Sequence, residues 1–374
     1  MVESPTFLTT ILAFVLVLGP LVVIHELGHY LVGRWFGVKA DAFSVGFGKE
    51  LAGWTDRRGT RWKLCALPLG GYVQFAGDMN AVSMPDTEAA DSGLTEEEKA
   101  QTFHHKPLWQ RSLIVAAGPV TNLLFAVAIF AAFSLAYGRV VAEPVVAEFA
   151  AESPAQQAGV RVGDRIVAID GEPIAQFLDI PEHVLPYPDK TITLTLARGE
   201  ERLSVPVRIA SVVESDEFGN EARIGRLGIA AGTPTLVPVG PVEAVGLGFS
   251  QSFGVMRMMV TGIGQIFAGD RSVKELGGPI KIAKYSGEQL SLGWSQFVGF
   301  VALISINLAF INLLPIPALD GGHLAFYAAE AVRRKPLGLR SQEWAFRTGL
   351  AFVLGLMLFV TFNDLASLRL FDGG

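Results

Sequence analysis

The stretch VVIHELGHYLVG, residues 22–33, sets His25, Glu26 and His29 directly behind a run of apolar side chains. Ionisable groups at membrane depth are costly, and their default reading is function. The His-x-x-x-His spacing puts both imidazoles on one face of a helix, one turn apart. Two such ligands suit a tetrahedral zinc, and the glutamate between them can act as general base on a metal-activated water. A five-residue match also arises by chance, as a pair of surface histidines on a soluble helix. The apolar run in front of this one disfavours that alternative.

Working outward, the apolar run begins at Phe7 and reaches Ile24, with Thr9 and Thr10 inside it, and the helix is expected to continue through Leu31. A bilayer crossing takes about 20 apolar residues. Ser112–Tyr137, Phe297–Leu314 and Trp344–Leu365 also qualify. The expected fold is a polytopic α-helical membrane protein with four transmembrane helices. Composition agrees: half of the 374 residues are hydrophobic and 18% are charged, too apolar for an ordinary soluble chain. The net charge of −6 gives no hint of a nucleic-acid partner. The single cysteine, Cys65, excludes an internal disulfide and a cysteine-based zinc site. Met1–Pro5 has no basic residue, and the apolar run continues into the histidine motif, so a cleaved signal peptide is a poor reading.

Residues 140–235 alternate short β-like runs, such as TITLTLARG (191–199), with turns and read as a soluble domain. Val242–Ala268, within a 239–295 segment, carries Gln251, Arg257 and Gln265. It is expected to be an amphipathic helix on the membrane surface rather than a span. Basic residues orient the chain. Lys39, Lys49, Arg57, Arg58, Arg61 and Lys63 lie between the first two spans, and Arg333, Arg334, Lys335 and Arg340 between the last two. Both connections are expected in the cytoplasm. The N-terminus, the 140–295 region and the C-terminus are then outside.

His25 lies 18 residues after Phe7, about 27 Å along a helix, which brings the motif towards the cytoplasmic side. A catalytic zinc usually has three protein ligands. Asp320, in NLLPIPALDGGHL (312–324), lies 23 residues beyond Phe297 and reaches the same side if the third span runs inward. The competing reading is a turn-forming Asp-Gly. His104 and His105 read as solvated loop residues, His183 lies in the outer region, and His323 reads as structural rather than as a support for the metal.

HELGH, GFGK (46–49), LPLGGYV (67–73), AGPVTN (117–122) and NLLPIPALDGG (312–322) follow in this order along the chain. Over nearly its whole length the sequence resembles the site-2 protease family, above all its bacterial members that regulate sigma factors. The resemblance implies an intramembrane zinc endopeptidase with one Zn2+ per chain on His25, His29 and Asp320, and Glu26 as catalytic base. Asn307 and Asn312 match the asparagines that line the family's substrate site; a helix–helix hydrogen bond is the competing role. LCALPLGGYVQFAG (64–77) matches the family's membrane-reentrant β-hairpin, about 62–76. Read from its residues, Gly70-Gly71 turns the chain between Lys63–Leu67 and Tyr72–Phe75. Gly70, Gly71 and Tyr72 would border an edge that takes up an extended substrate strand.

SPAQQAGVRVGDRIVAIDGEPI (153–174) resembles a bacterial PDZ domain. RLGI (226–229) looks like the loop whose backbone amides, at Leu227, Gly228 and Ile229, receive a peptide carboxylate; an ordinary edge strand is the rival. One such unit is present where the best-known family regulator has two. The implied activity is cleavage inside the transmembrane segment of a pre-trimmed single-span protein, such as an anti-sigma factor, by a monomer in contact with lipid in the bacterial inner membrane. Termini and PDZ domain would be periplasmic, with the active site towards the cytoplasm. Clearance of signal-peptide remnants by the same chemistry is the alternative within the class. A zinc transporter or a silent PDZ scaffold is the alternative outside it, although neither needs Glu26.

Overall fold

The computed structural model describes residues 5–76, 95–215, 221–269, 273, 277–335 and 338–367. Both chain ends assigned to the outside, Met1–Ser4 and 368–374, and part of the 37–111 segment lie outside the described residues. Helix α1 (Phe7–Trp35) is followed by strands β1 (Ala40–Thr55) and β2 (Arg61–Phe75), the short α2 (Glu96–Ala100) and α3 (Leu108–Tyr137). Next come β3 (Arg139–Val141), β4 (Glu148–Phe149), α4 (Pro154–Gln157), β5 (Arg165–Ile169), β6 (Glu172–Pro173) and α5 (Ile180–Val184). Strands β7 (Thr191–Arg198), β8 (Glu201–Arg208), β9 (Ala210–Ser215), β10 (Glu221–Arg226), β11 (Ile229–Ala230) and β12 (Thr235–Val237) complete the β-rich part. Five helices close the chain: α6 (Pro241–Ala268), α7 (Pro279–Leu292), α8 (Trp294–Leu313), α9 (Asp320–Arg333) and α10 (Leu339–Ser367).

The chain divides into two compact units, one holding residues 127–272 and the other 5–126 with 273–374. In the second unit, α1 starts at Thr6, whose hydroxyl accepts the Thr9 amide at 3.3 Å. Among the described residues, four helices, α1, α3, α8 and α10, are long and apolar enough to cross a membrane. Their outward side chains are large hydrophobics: Phe7 and Leu8 on α1, and Phe352, Leu358 and Phe362 on α10, are all exposed. A helix apolar on all sides belongs in a core or a membrane, not in water. Pro241–Ala268 is not among the four.

The segment 296–322, expected to hold the Phe297–Leu314 run and the Asp320 motif in one transmembrane helix, forms two elements instead. Helix α8 ends at Leu313, and Asp320 opens a separate helix, α9. Pro315 and Pro317 lack the amide hydrogens that would continue the ladder, and Leu314 is already extended. Gly321 and Gly322 let the turn fold back on α9. A Cβ at Gly321 would lie 2.2 Å from the Leu314 carbonyl oxygen, and one at Gly322 would lie 2.4 Å from that of Ile316.

The expected hairpin over 62–76 is also corrected. Segments 61–64 and 71–74 do not pair with each other; both pair with residues 42–45 of β1, one on each side. The far half of β1 then pairs back on 61–65 around a turn at Asp56–Gly59, where Asp56 Oδ1 accepts the Arg58 and Thr60 amides. Gly46 and Gly48, both at positive φ, bend β1 between its two partners, as glycine alone does cheaply. The strand order is 50–55, 61–65, 42–45, 71–75, so residues 71–75 form an edge.

In the first unit, β6-β5-β7-β8 form an antiparallel sheet. Alternating side chains of β7 and β8 (Ile192, Leu194, Leu196, Val207) are buried with Ile166, Ile169, Ile180 and Val184, the period-2 pattern of a sheet with one covered face. Asp170 and Gly171, both at positive φ, turn β5 into β6. Asp164 is buried and ties this fold together: its carboxylate accepts the Arg161 amide and both Nε and Nη2 of Arg198, each at 2.8 Å. The pairing of β3 with β12 closes the domain at its two ends.

Candidate metal centre

Helix α1 presents His25 and His29 one turn apart, and α9 presents Asp320 from its first position. The three come together. His25 Nε2 and His29 Nε2 are 3.1 Å apart, and Asp320 Oδ2 lies 3.2 and 3.5 Å from them. A tetrahedral ion with bonds of about 2.0–2.1 Å separates its ligands by about 3.3–3.4 Å, so the spacing fits zinc. Two further observations support the fit. Asp320 Oδ2 is buried without a hydrogen-bond partner, an expensive state unless a cation completes it. A Cβ on Gly118 of α3 would stand 2.3 Å from His29 Nε2 and 2.8 Å from His25 Nε2. The glycine therefore leaves open the space that an ion between the imidazoles needs.

The histidine rings are held from α3. His29 Nδ1 lies 2.9 Å from the Ile114 carbonyl oxygen. A carbonyl only accepts, so Nδ1 carries the proton and Nε2 offers its lone pair. Pro119 has no amide to give the turn before it, which loosens α3 beside that carbonyl. Glu26 borders the same cavity, together with Val73 of the sheet edge. The edge comes this close because Gly71 has no side chain: a Cβ there would lie 3.1 Å from Glu26 Cγ.

The cavity has a volume of about 450 Å³, within the usual range for a binding site. Gly70, Gly71, Tyr72 and Asn312 line it; Asn307 does not. Five residues apart on a helix means about 140° of rotation, so both asparagines cannot face one cavity. His104 and His323 line it too, with the Arg111–Glu330 pair at 3.1 Å and Tyr327 under the Arg111 guanidinium. His104 is thus at the cavity wall rather than in an open loop. Reasoning from single motifs missed Arg111 and Asn122, because neither stands next to a metal-type pattern; the AGPVTN run was the available signal for Asn122. Leu227, Gly228 and Ile229 belong to the other unit. There Gly228 is at positive φ, and Ile229 pairs with Phe149.

The sequence profile of peptidase family M50 matches residues 13–356. A protein of Agrobacterium fabrum, named by inference a zinc metalloprotease, is 46% identical over 96% of both chains. The metalloprotease MmpA of Caulobacter vibrioides is 34% identical over 96% of both. A PDZ domain of an SdrC-like protein from Listeria monocytogenes aligns with 25% of this chain and 92% of its own, at 17% identity and a TM-score of 0.19. With the motif order, the donor set, the profile match and the two metalloprotease relatives together, the chain belongs to peptidase family M50, the site-2 proteases, and is a zinc metalloprotease.

Proposed function

We propose that this protein is an intramembrane endopeptidase that cuts the transmembrane segment of a single-span protein already trimmed outside the membrane. The observation that carries the reading is the placement of the donor set. Its first histidine lies 18 residues into the apolar helix α1, beside a cavity bordered by a strand edge. Trp35, Trp109, Trp294 and Trp344 are exposed near helix ends, as aromatic residues at a membrane–water boundary are.

His25, His29 and Asp320 are the residues that would hold the zinc. When bound, the ion supplies a Lewis acid for the scissile carbonyl and makes water a better nucleophile at neutral pH. Glu26 takes the proton from the attacking water and returns it to the leaving amine. A helical peptide bond is shielded by its own ladder, so the substrate must be unwound. The edge at Gly71–Phe75 accepts it as an added strand, and Asn312 satisfies backbone groups freed by unwinding.

Residues 140–235 act as a PDZ domain on the periplasmic side of the inner membrane. Leu227–Ile229 form its carboxylate loop, supported by the Ser153 hydroxyl, which donates to the Leu227 carbonyl at 3.0 Å. Helix α6 lies on the outer membrane surface. The output is release of a cytoplasmic regulator, as from an anti-sigma factor; removal of signal-peptide remnants uses the same site. Reconstituted protein should cleave single-span substrates, and Glu26→Gln should not. Equal cleavage by both would overturn the reading. The membrane peptides that accumulate in a deletion strain distinguish signalling from clearance.

A further inference from the structure

The AGPVTN run contributes more than a close helix crossing. Asn122 is fully buried. Its side-chain nitrogen is placed 3.4 Å from His25 Nδ1, while its side-chain oxygen has no partner. The nitrogen and oxygen of an amide have the same shape and exchange by a half-turn of the group, so chemistry decides which faces the ring. If the nitrogen faced it, the amide would donate to Nδ1, and the imidazole proton would sit on Nε2. That proton would point at His29 Nε2 and Asp320 Oδ2, 3.1 and 3.2 Å away, and no metal could use the ring. With the oxygen facing it, Nδ1–H donates to Asn122 and Nε2 is free.

We infer that Asn122 is a positioning residue that accepts the His25 Nδ1 proton and so fixes the tautomer in which His25 can bind the metal. This rests on the ligand assignment above. The pattern matches His29, whose Nδ1 is held by the Ile114 carbonyl. Ile114 and Asn122 are eight residues apart, about two turns, and so share a face of α3. One helix therefore orients both histidines, once through its backbone and once through a side chain.

The position of Asn122 is itself fixed. The Ser305 hydroxyl of α8 donates to the Asn122 backbone carbonyl at 2.7 Å. Helices α1 and α3 touch at Gly28, where a Cβ would lie 2.4 Å from Thr121 Oγ1 and 2.5 Å from the Ala117 carbonyl oxygen. A small residue at a helix contact permits such an approach. These contacts hold the backbone of Asn122, and with it the buried side chain, beside the His25 ring.

The test is zinc affinity, read by competition with a chromophoric chelator on the full-length protein in detergent. Asn122→Ala and the similarly sized Asn122→Leu should weaken zinc binding by about 10–100-fold. Asn122→Asp, which keeps an acceptor in place, should stay within a few-fold of wild type. Wild-type affinity in Asn122→Leu overturns the inference, as does an Asn122→Asp protein that binds zinc as weakly as Asn122→Leu. If Asn122→Ala does not fold, the Leu and Asp variants decide. Failure of the ligand assignment shows separately, as wild-type zinc affinity in His25→Ala.

Discussion

Replacing Gly118 with alanine adds one methyl group, and the structure predicts opposite effects on helix and metal. The new Cβ would stand 2.3 Å from His29 Nε2 and 2.8 Å from His25 Nε2. Ordinary contact needs about 3.5 Å, so the His29 ring must retreat by about 1.2 Å. Metal sites tolerate about 0.2 Å. A ligand displaced by about 1 Å costs on the order of 100-fold in function, and zinc affinity should fall at least that far. The helix itself should gain about 0.5–1 kcal/mol, because alanine orders more cheaply than glycine. The assay pairs a chelator titration for zinc with thermal unfolding of zinc-free protein. Zinc binding should be lost while the zinc-free protein melts no earlier than wild type. Wild-type zinc affinity in Gly118→Ala would refute the placement of α3 as the wall of the metal site.

Glu26→Gln should retain zinc while cleavage falls by about 10²–10⁴-fold; a matching loss of zinc would make Glu26 a ligand instead of a base. Tyr72→Pro removes a backbone donor from the strand edge and should slow cleavage with zinc content unchanged, so wild-type rates would exclude strand addition there. Arg198 beside Asp164 holds that carboxyl below the usual carboxylate range. Its stabilisation should therefore be complete above about pH 4, the unfolded value, and be lost as pH falls through the lower folded value. Asp164→Asn should cost the domain about 2 kcal/mol at neutral pH and flatten that acid dependence in urea melts. Cysteines placed at Glu243 and Val273, with Cys65 replaced, should both react with an impermeant thiol reagent from the outside; protection of one alone would mean that α6 crosses the membrane.

The sequence by itself determined the parts whose signal is local. Apolar runs of span length and the one-turn spacing of His25 and His29 are periodicities of a single helix, written in consecutive residues. Counting residues from the starts of two spans nominated Asp320, although the second count ran past the end of α8 at Leu313 and through the turn at 314–319. Asp170-Gly171 was legible as a turn because its conformation depends on those two residues alone. Tertiary structure decided the rest. That residues 42–45 lie between 61–64 and 71–74 is a choice among non-local strand pairings, and no short window encodes it. The break after Leu313 was written in Pro315 and Pro317, but the apolar run around them masked it. Asn307 and Asn312 look equivalent in a motif, and only the angle between them on α8 separates the cavity-lining residue from the other. Gly118 and Asn122 acquire meaning only when α3 is set against α1, since a missing methyl or an amide oxygen matters to a metal site only through what stands two to four ångströms away.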